Sequence, residues 1–112
     1  MATQIIQHSP GQQVTIMLET TNSINERISP TTVPNIDKIL TPSLTELDGY
    51  PQAMTELYVG LYYFQFTLPS GASSVGTYVV DTSWVNPSTS ATIKNVFLIV
   101  VSAPYGIYSV TT

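Results

Sequence analysis

MTELYVGLYYFQFTLPSGASSVGTYVV, residues 54–80, decides the fold class of this chain. From Gly60 to Leu68 the side chains alternate, with Tyr62, Phe64, Phe66 and Leu68 on one face and Leu61, Tyr63, Gln65 and Thr67 on the other. A period of two is the mark of a β-strand with one face buried. Pro69, Ser70, Gly71 and Ser73 stop the run, and Gly76-Thr77-Tyr78-Val79-Val80 restarts an extended segment of β-branched and aromatic residues. The spacing predicts two strands joined as a hairpin, with Tyr62 and Tyr78 in the core. The row Leu61, Tyr63, Gln65 and Thr67 is left to face either a second sheet or a partner.

Upstream, Val14, Ile16 and Leu18 alternate with Gln13, Thr15 and Met17, which predicts a half-buried strand within Gly11–Glu19. Thr20 to Pro34 is polar and turn-rich and reads as a loop. Ile36, Ile39 and Leu44 are unevenly spaced, and Pro42 favours an edge strand interrupted there. Leu44 to Pro51 suggests one helical turn, but Gly49 and Pro51 cut it short, so a turn is predicted. Met54 to Leu57 is a short strand reaching a bend at Val59-Gly60. The later strands are Thr77–Ser83, Ala91–Ser102 and Ile107–Thr112, separated by Pro87-Ser88-Thr89-Ser90 and by Pro104-Tyr105-Gly106.

This pattern predicts an all-β protein, a single immunoglobulin-like antiparallel β-sandwich of about six or seven strands. Residues 1–10 form an N-terminal arm and 11–112 the sandwich domain. At 112 residues the chain is one domain's worth.

Charged residues make up 9% of the chain and hydrophobic residues 43%, against roughly 25% charged in an ordinary soluble protein. Ser, Thr, Asn and Gln must cover much of the surface, and hydroxyls and amides lose less than ions on leaving water. Such a surface suits packing among partners. The net charge is −4, with only Arg27, Lys38 and Lys94 basic, which argues against nucleic acid and against an anionic membrane surface. The longest apolar run, Val96 to Val101, is far shorter than the roughly 20 residues of a membrane span. There is no cysteine, and Met1 to Ile6 lacks the basic and apolar regions of a signal peptide. A chain with these features that ends up outside a cell is expected to leave it by a route other than conventional secretion.

Catalytic chemistry is not expected, and neither is a cofactor. His8 is the one histidine and falls in the arm, outside the core that would have to position a triad. One histidine without cysteine does not make a zinc shell. Glu46 and Asp48 sit in a turn-rich stretch and read as solvated carboxylates, without the ligand density of a calcium loop. GASSVG, residues 71–76, lacks the lysine of a phosphate loop and leads into a strand. Seven tyrosines remain. Tyr50, Tyr58 and Tyr105 lie next to turns and are candidate interface anchors. Tyr63 joins them from the outward row, and Trp84, at the end of its strand, either caps the core edge or lines an interface.

The succession Met54-Thr55-Glu56-Leu57, then Gly60-Leu61-Tyr62-Tyr63-Phe64-Gln65-Phe66, then Gly76-Thr77-Tyr78-Val79-Val80 resembles small immunoglobulin-like β-sandwich modules of tailed-bacteriophage virion proteins and of some bacterial surface repeats. The resemblance spans roughly Gly11 to Ser83. It implies a hairpin of the G-L-Y and G-T-Y strands at the core, no catalytic residues, and a role in assembly as a capsid decoration or a tail or baseplate component. The expected partners are other virion proteins and copies of the chain itself, and the expected place is the virion, after synthesis in the host cytoplasm. A chain opening at Met1 as one domain fits that reading better than tandem surface repeats do. The alternative is a carbohydrate- or cell-surface-binding module in which the tyrosines form a glycan platform.

Overall fold

The computed structural model describes residues 3–8, 10–69 and 75–102. The described chain is all β, with eight strands: β1 Thr3–His8, β2 Gln13–Glu19, β3 Asn35–Leu40, β4 Gln52–Ala53, β5 Thr55–Tyr58, β6 Leu61–Thr67, β7 Gly76–Val85 and β8 Thr92–Val101. They form a five-stranded sheet in the order β1-β8-β7-β3-β4 and a three-stranded sheet in the order β2-β6-β5. Every pair is antiparallel except β1 with β8. Within the stretch expected as an N-terminal arm, Thr3–His8 is a strand, and among the described residues an edge strand, its backbone paired from Thr3 opposite Val96 to His8 opposite Val101. The expected strand Ile107–Thr112 lies outside the described residues.

The alternation read from the sequence builds the core. Val14, Ile16 and Leu18 of β2, with Tyr62 of β6 and Leu68 just beyond it, are buried from the three-stranded sheet. Opposite them lie Ile36 and Ile39 of β3, Tyr78, Val80 and Trp84 of β7, and Phe97, Ile99 and Val101 of β8. Removing each such side chain from water is worth about 1.5–3 kcal/mol, and this drives the two sheets together. The two fully buried hydroxyls find acceptors: Thr20 Oγ1 donates to the Ile28 carbonyl at 2.6 Å and Thr82 Oγ1 to the Asn95 carbonyl at 3.0 Å.

The strands of residues 54–80 are not a hairpin. β6 pairs with β2 and β5, while β7 pairs with β3 and β8 in the other sheet. β6 ends at Thr67 in one sheet and β7 begins at Gly76 in the other, a separation longer than the about two to five residues of a hairpin loop. Turn residues mark where a strand ends and carry no information about its partner. The hairpins are β5–β6, turning at Val59-Gly60, and β7–β8, turning through residues 86–91. In the latter turn the Asn86 amide donates to the Ala91 carbonyl, the Ser90 amide to the Asn86 carbonyl, and the Ser88 amide to Asn86 Oδ1.

The uneven spacing of Ile36 and Ile39 also has a structural cause. The register of β3 against β7 shifts between Ile36 and Lys38, so one extra residue, Asp37, is accommodated and both isoleucines reach the core. β3 ends before Pro42, as expected, but it is not the outermost strand, because the two residues of β4 pair with Asn35 and Ile36. Residues 44–51 form no helix, and the Tyr50–Pro51 bond is cis.

Both glycines that open the quoted strands are fixed by their surroundings. Gly60 has φ +75°, and a Cβ there would lie 2.6 Å from Arg27 Cβ and 3.0 Å from the Thr20 carbonyl oxygen. Gly76 has φ +134°, and a Cβ there would lie 2.7 Å from Pro42 Cβ. A left-handed backbone and a close neighbour together require glycine.

Candidate interaction surface

The three-stranded sheet packs one face on the core and leaves the other outermost. Outward-facing rows follow from the register: Met17 of β2 lies opposite Tyr63 of β6, which lies opposite Thr55 of β5, and Glu19 lies opposite Leu61, which lies opposite Tyr58. Directly opposed residues share a face. Met17 is 41% exposed and Tyr58 66%, and Leu57 and Val59 at the hairpin bend are exposed as well. Tyr63 and Leu61 are half-buried among them. The row Leu61, Tyr63, Gln65 and Thr67 therefore does not pack on the chain's own second sheet.

Polar groups border this apolar stretch. Gln65 Nε2 donates to Thr15 Oγ1 at 3.1 Å across β6 and β2. Arg27 Nε donates to Glu19 Oε2 at 2.6 Å, and both side chains are about half exposed. An ion pair this wet contributes little to stability, but it leaves the corner electrically neutral. Glu56 of β5 lies opposite Tyr62, and burial followed by that carboxylate pushes the phenol pKa up.

The candidates named from the sequence separate by environment. Tyr58 is exposed, and Tyr63 lies near it on the outer face. Tyr50 packs edge-to-face on Phe64, with ring centroids 6.0 Å apart and an interplanar angle of 67°, and burial raises its pKa. Its ring belongs to the margin of the core. Trp84 is 4% exposed and packs in the core, so of its two readings the structure favours the core one. Tyr105 lies outside the described residues. The sequence reading missed Met17, Leu57 and Val59, although Leu57-Tyr58-Val59 ahead of Gly60 is a run of consecutive apolar residues at a bend, which neither an alternating strand nor a polar turn explains.

Glu46 and Asp48 are exposed on the turn after β3, and among the described residues no group of three or more His, Asp or Glu is placed to hold a metal ion. Near them Thr41, Ser43 and Thr45 link their hydroxyls, holding a turn that presents Leu44 to solvent at φ +67°. No protein-family model matches the chain, and no curated protein matches it.

Proposed function

We propose that this chain is a non-enzymatic structural protein of a bacteriophage virion, a capsid decoration or a tail or baseplate component. In this reading it is made in the host cytoplasm and held on the particle by contacts with other virion proteins and with its own copies. The observation that carries the reading is the outer face of the three-stranded sheet, where Met17, Leu61, Tyr63 and Tyr58 form an apolar row whose charged neighbours Glu19 and Arg27 neutralise each other. A contiguous apolar patch on a β-sheet face, with tyrosines presenting polar tips, suits burial against another protein.

The strand order supports an immunoglobulin-type reading of the sandwich. The order β2-β6-β5 corresponds to strands B-E-D of that plan, and β8-β7-β3 to G-F-C. In this correspondence the G-L-Y strand is E and the G-T-Y strand is F. Support for the virion reading thus comes from the surface and the strand order rather than from a hairpin.

Size measurement of the purified chain, alone and mixed with the capsid and tail proteins of its particle, tests the reading. Incorporation that is lost on Tyr58→Ser with Met17→Ser supports it. A chain that ignores every particle component refutes it, and saturable glycan binding that disappears with Tyr58→Ser puts the sugar-binding module in its place.

A further inference from the structure

The edges of the two sheets are built differently. β4 is two residues long, and β5 is four residues long with a register shift between Glu56 and Tyr58, so both offer a poor template for another strand. β2 runs seven residues, QVTIMLE, in unbroken register with β6, without proline, lysine or bulge. Among the described residues no strand pairs with its far side.

The hydrogen-bond phase shows which groups that side presents. The Leu68 amide donates to the Gln12 carbonyl at 2.9 Å, and the Thr20 amide donates to the Gly60 carbonyl at 2.8 Å. Even-numbered residues of β2 therefore exchange bonds with β6, and the alternation of an antiparallel ladder turns the N–H and C=O of Gln13, Thr15, Met17 and Glu19 away from it.

We infer that this edge pairs with the same edge of a second copy, antiparallel about Ile16, and joins the two three-stranded sheets into one. The inference rests on the assembly reading above and names the partner at this edge. Hydrogen-bonded pairs across the joint must match odd residues with odd. Centred on Ile16, they set Thr15 opposite Met17 of the second copy and Gln13 opposite its Glu19. That register faces the only charge of β2 with an amide donor, where a pairing of Glu19 with its own image would oppose like charges. Arg27 already neutralises Glu19 at 2.6 Å, so two chains of net charge −4 meet along a side that does not repel. The centre of the joint brings Ile16 opposite Ile16, a β-branched pair that continues the buried row Val14, Ile16 and Leu18 from one sandwich into the next.

Sedimentation equilibrium of the full chain is the direct test, and the expected species has twice the 12.2 kDa of one chain. Thr15→Pro removes an outward N–H and leaves the backbone bonds from β2 to β6 intact, with loss of the exposed Gln65 bond to Thr15 Oγ1, since an edge strand tolerates proline where its N–H faces away. Two bonds are lost per joint, one from each copy, and dimer affinity is expected to fall about tenfold or more. A second variant keeps the question open to refutation should the proline chain not fold. Thr15→Cys with Met17→Cys, in a protein without cysteine, is expected to form intermolecular disulfides on mild oxidation, because hydrogen-bonded antiparallel pairs have Cα atoms about 5.5 Å apart. A chain monomeric at every concentration overturns the proposal. So does a dimer that neither weakens with proline nor cross-links, and so does a monomer whose Thr15 and Met17 amides resist hydrogen exchange, which would mean that another segment of the same chain covers the edge. Failure to join particles leaves these readings untouched, so the two conclusions fall separately.

Discussion

The two lateral sides of the sandwich solve the same problem in opposite ways. At one side the chain passes from β4 in the five-stranded sheet to β5 in the three-stranded sheet through a single residue, Met54, which is buried and donates its amide to the Pro34 carbonyl. Both edge strands there are short, and one is bulged. At the other side, among the described residues, β1 and β2 are the outermost strands of their sheets, six and seven residues long, in regular register with their inner neighbours. A sealed side stabilises the monomer, whereas an open side leaves backbone donors and acceptors for another strand. The contrast teaches that one small fold can close one margin with short strands, one of them bulged, and keep long, regular strands at the other, which is where the proposed assembly reading places its contacts.

The largest expected effect tests the sealed side. Met54→Ala truncates a buried side chain at the crossing between sheets, and a buried methionine replaced by alanine costs about 2–5 kcal/mol. Urea unfolding of the dilute monomer should show that loss, whereas Thr15→Pro on the open side should stay within about 1 kcal/mol of the parent, because its N–H has no part in the β6 ladder. Equal losses at the two sites would break the comparison. Next in size is Gly60→Ala, at the bend of the β5–β6 hairpin. The added Cβ meets Arg27 Cβ and the Thr20 carbonyl in a left-handed conformation, and a cost of about 1–3 kcal/mol is expected. An unchanged melting midpoint would show that the loop from Thr20 to Ile28 can move away from the hairpin at little cost.

These margins were the least legible part of the sequence. The alternation of Val14, Ile16 and Leu18 and of Tyr62, Phe64, Phe66 and Leu68 announced β2 and β6 with the correct faces, because a period of two reports burial directly. The run Val96 to Val101 likewise announced β8. Pairing is a different kind of information. It depends on backbone groups that every residue carries, so nothing in GTYVV says that β7 joins β3 and β8 rather than β6. For the same reason the polar stretch Thr3–His8 read as an arm, although its backbone lies along β8. The interval Ile36–Ile39 looked like noise, yet a spacing of three, with two residues between two core positions of a strand, is itself a bulge signal. On the candidate surface, proximity to a turn went with exposure at Tyr58 but not at Tyr50, whose ring packs on Phe64 from beyond the next strands. Trp84 was ambiguous because a large aromatic residue at a strand end serves core and interface equally well.

A smaller, pH-dependent effect probes the facing pair Tyr62 and Glu56 across the hairpin strands. Burial raises the phenol pKa values of Tyr50, Tyr62 and Tyr78, and at Tyr62 the neighbouring Glu56 adds to it. A phenol that holds its proton more tightly when folded contributes stability that is fully present below the unfolded pKa, about 10, and is lost as pH rises through the higher folded value. Thermal stability should be flat across neutral pH and should fall above about pH 10, with phenolate absorbance rising as the chain unfolds. Tyr62→Phe removes the phenol that lies opposite Glu56 and should flatten part of that fall. Alkaline melting curves that coincide for the two chains would mean that Tyr50 and Tyr78 carry the response.

The smallest effect on stability belongs to the residue with the largest expected effect on binding. Tyr58 is 66% exposed, with its Cα opposite Leu61 at the end of the hairpin. Its truncation leaves no cavity and strands no buried polar group, so Tyr58→Ser should change unfolding free energy by no more than about 0.5 kcal/mol. If the outer face is where another protein docks, the same change should weaken that association by more than about 1 kcal/mol, because an aromatic anchor near the centre of a contact carries a disproportionate share of its energy. Measuring both quantities on one variant separates a surface kept for packing from a surface kept for partners. A Tyr58→Ser chain that unfolds early would place the tyrosine with Met54 and Gly60 on the stabilising side of the molecule, and the division of labour between the two margins would have to be redrawn with the outer face included in the first.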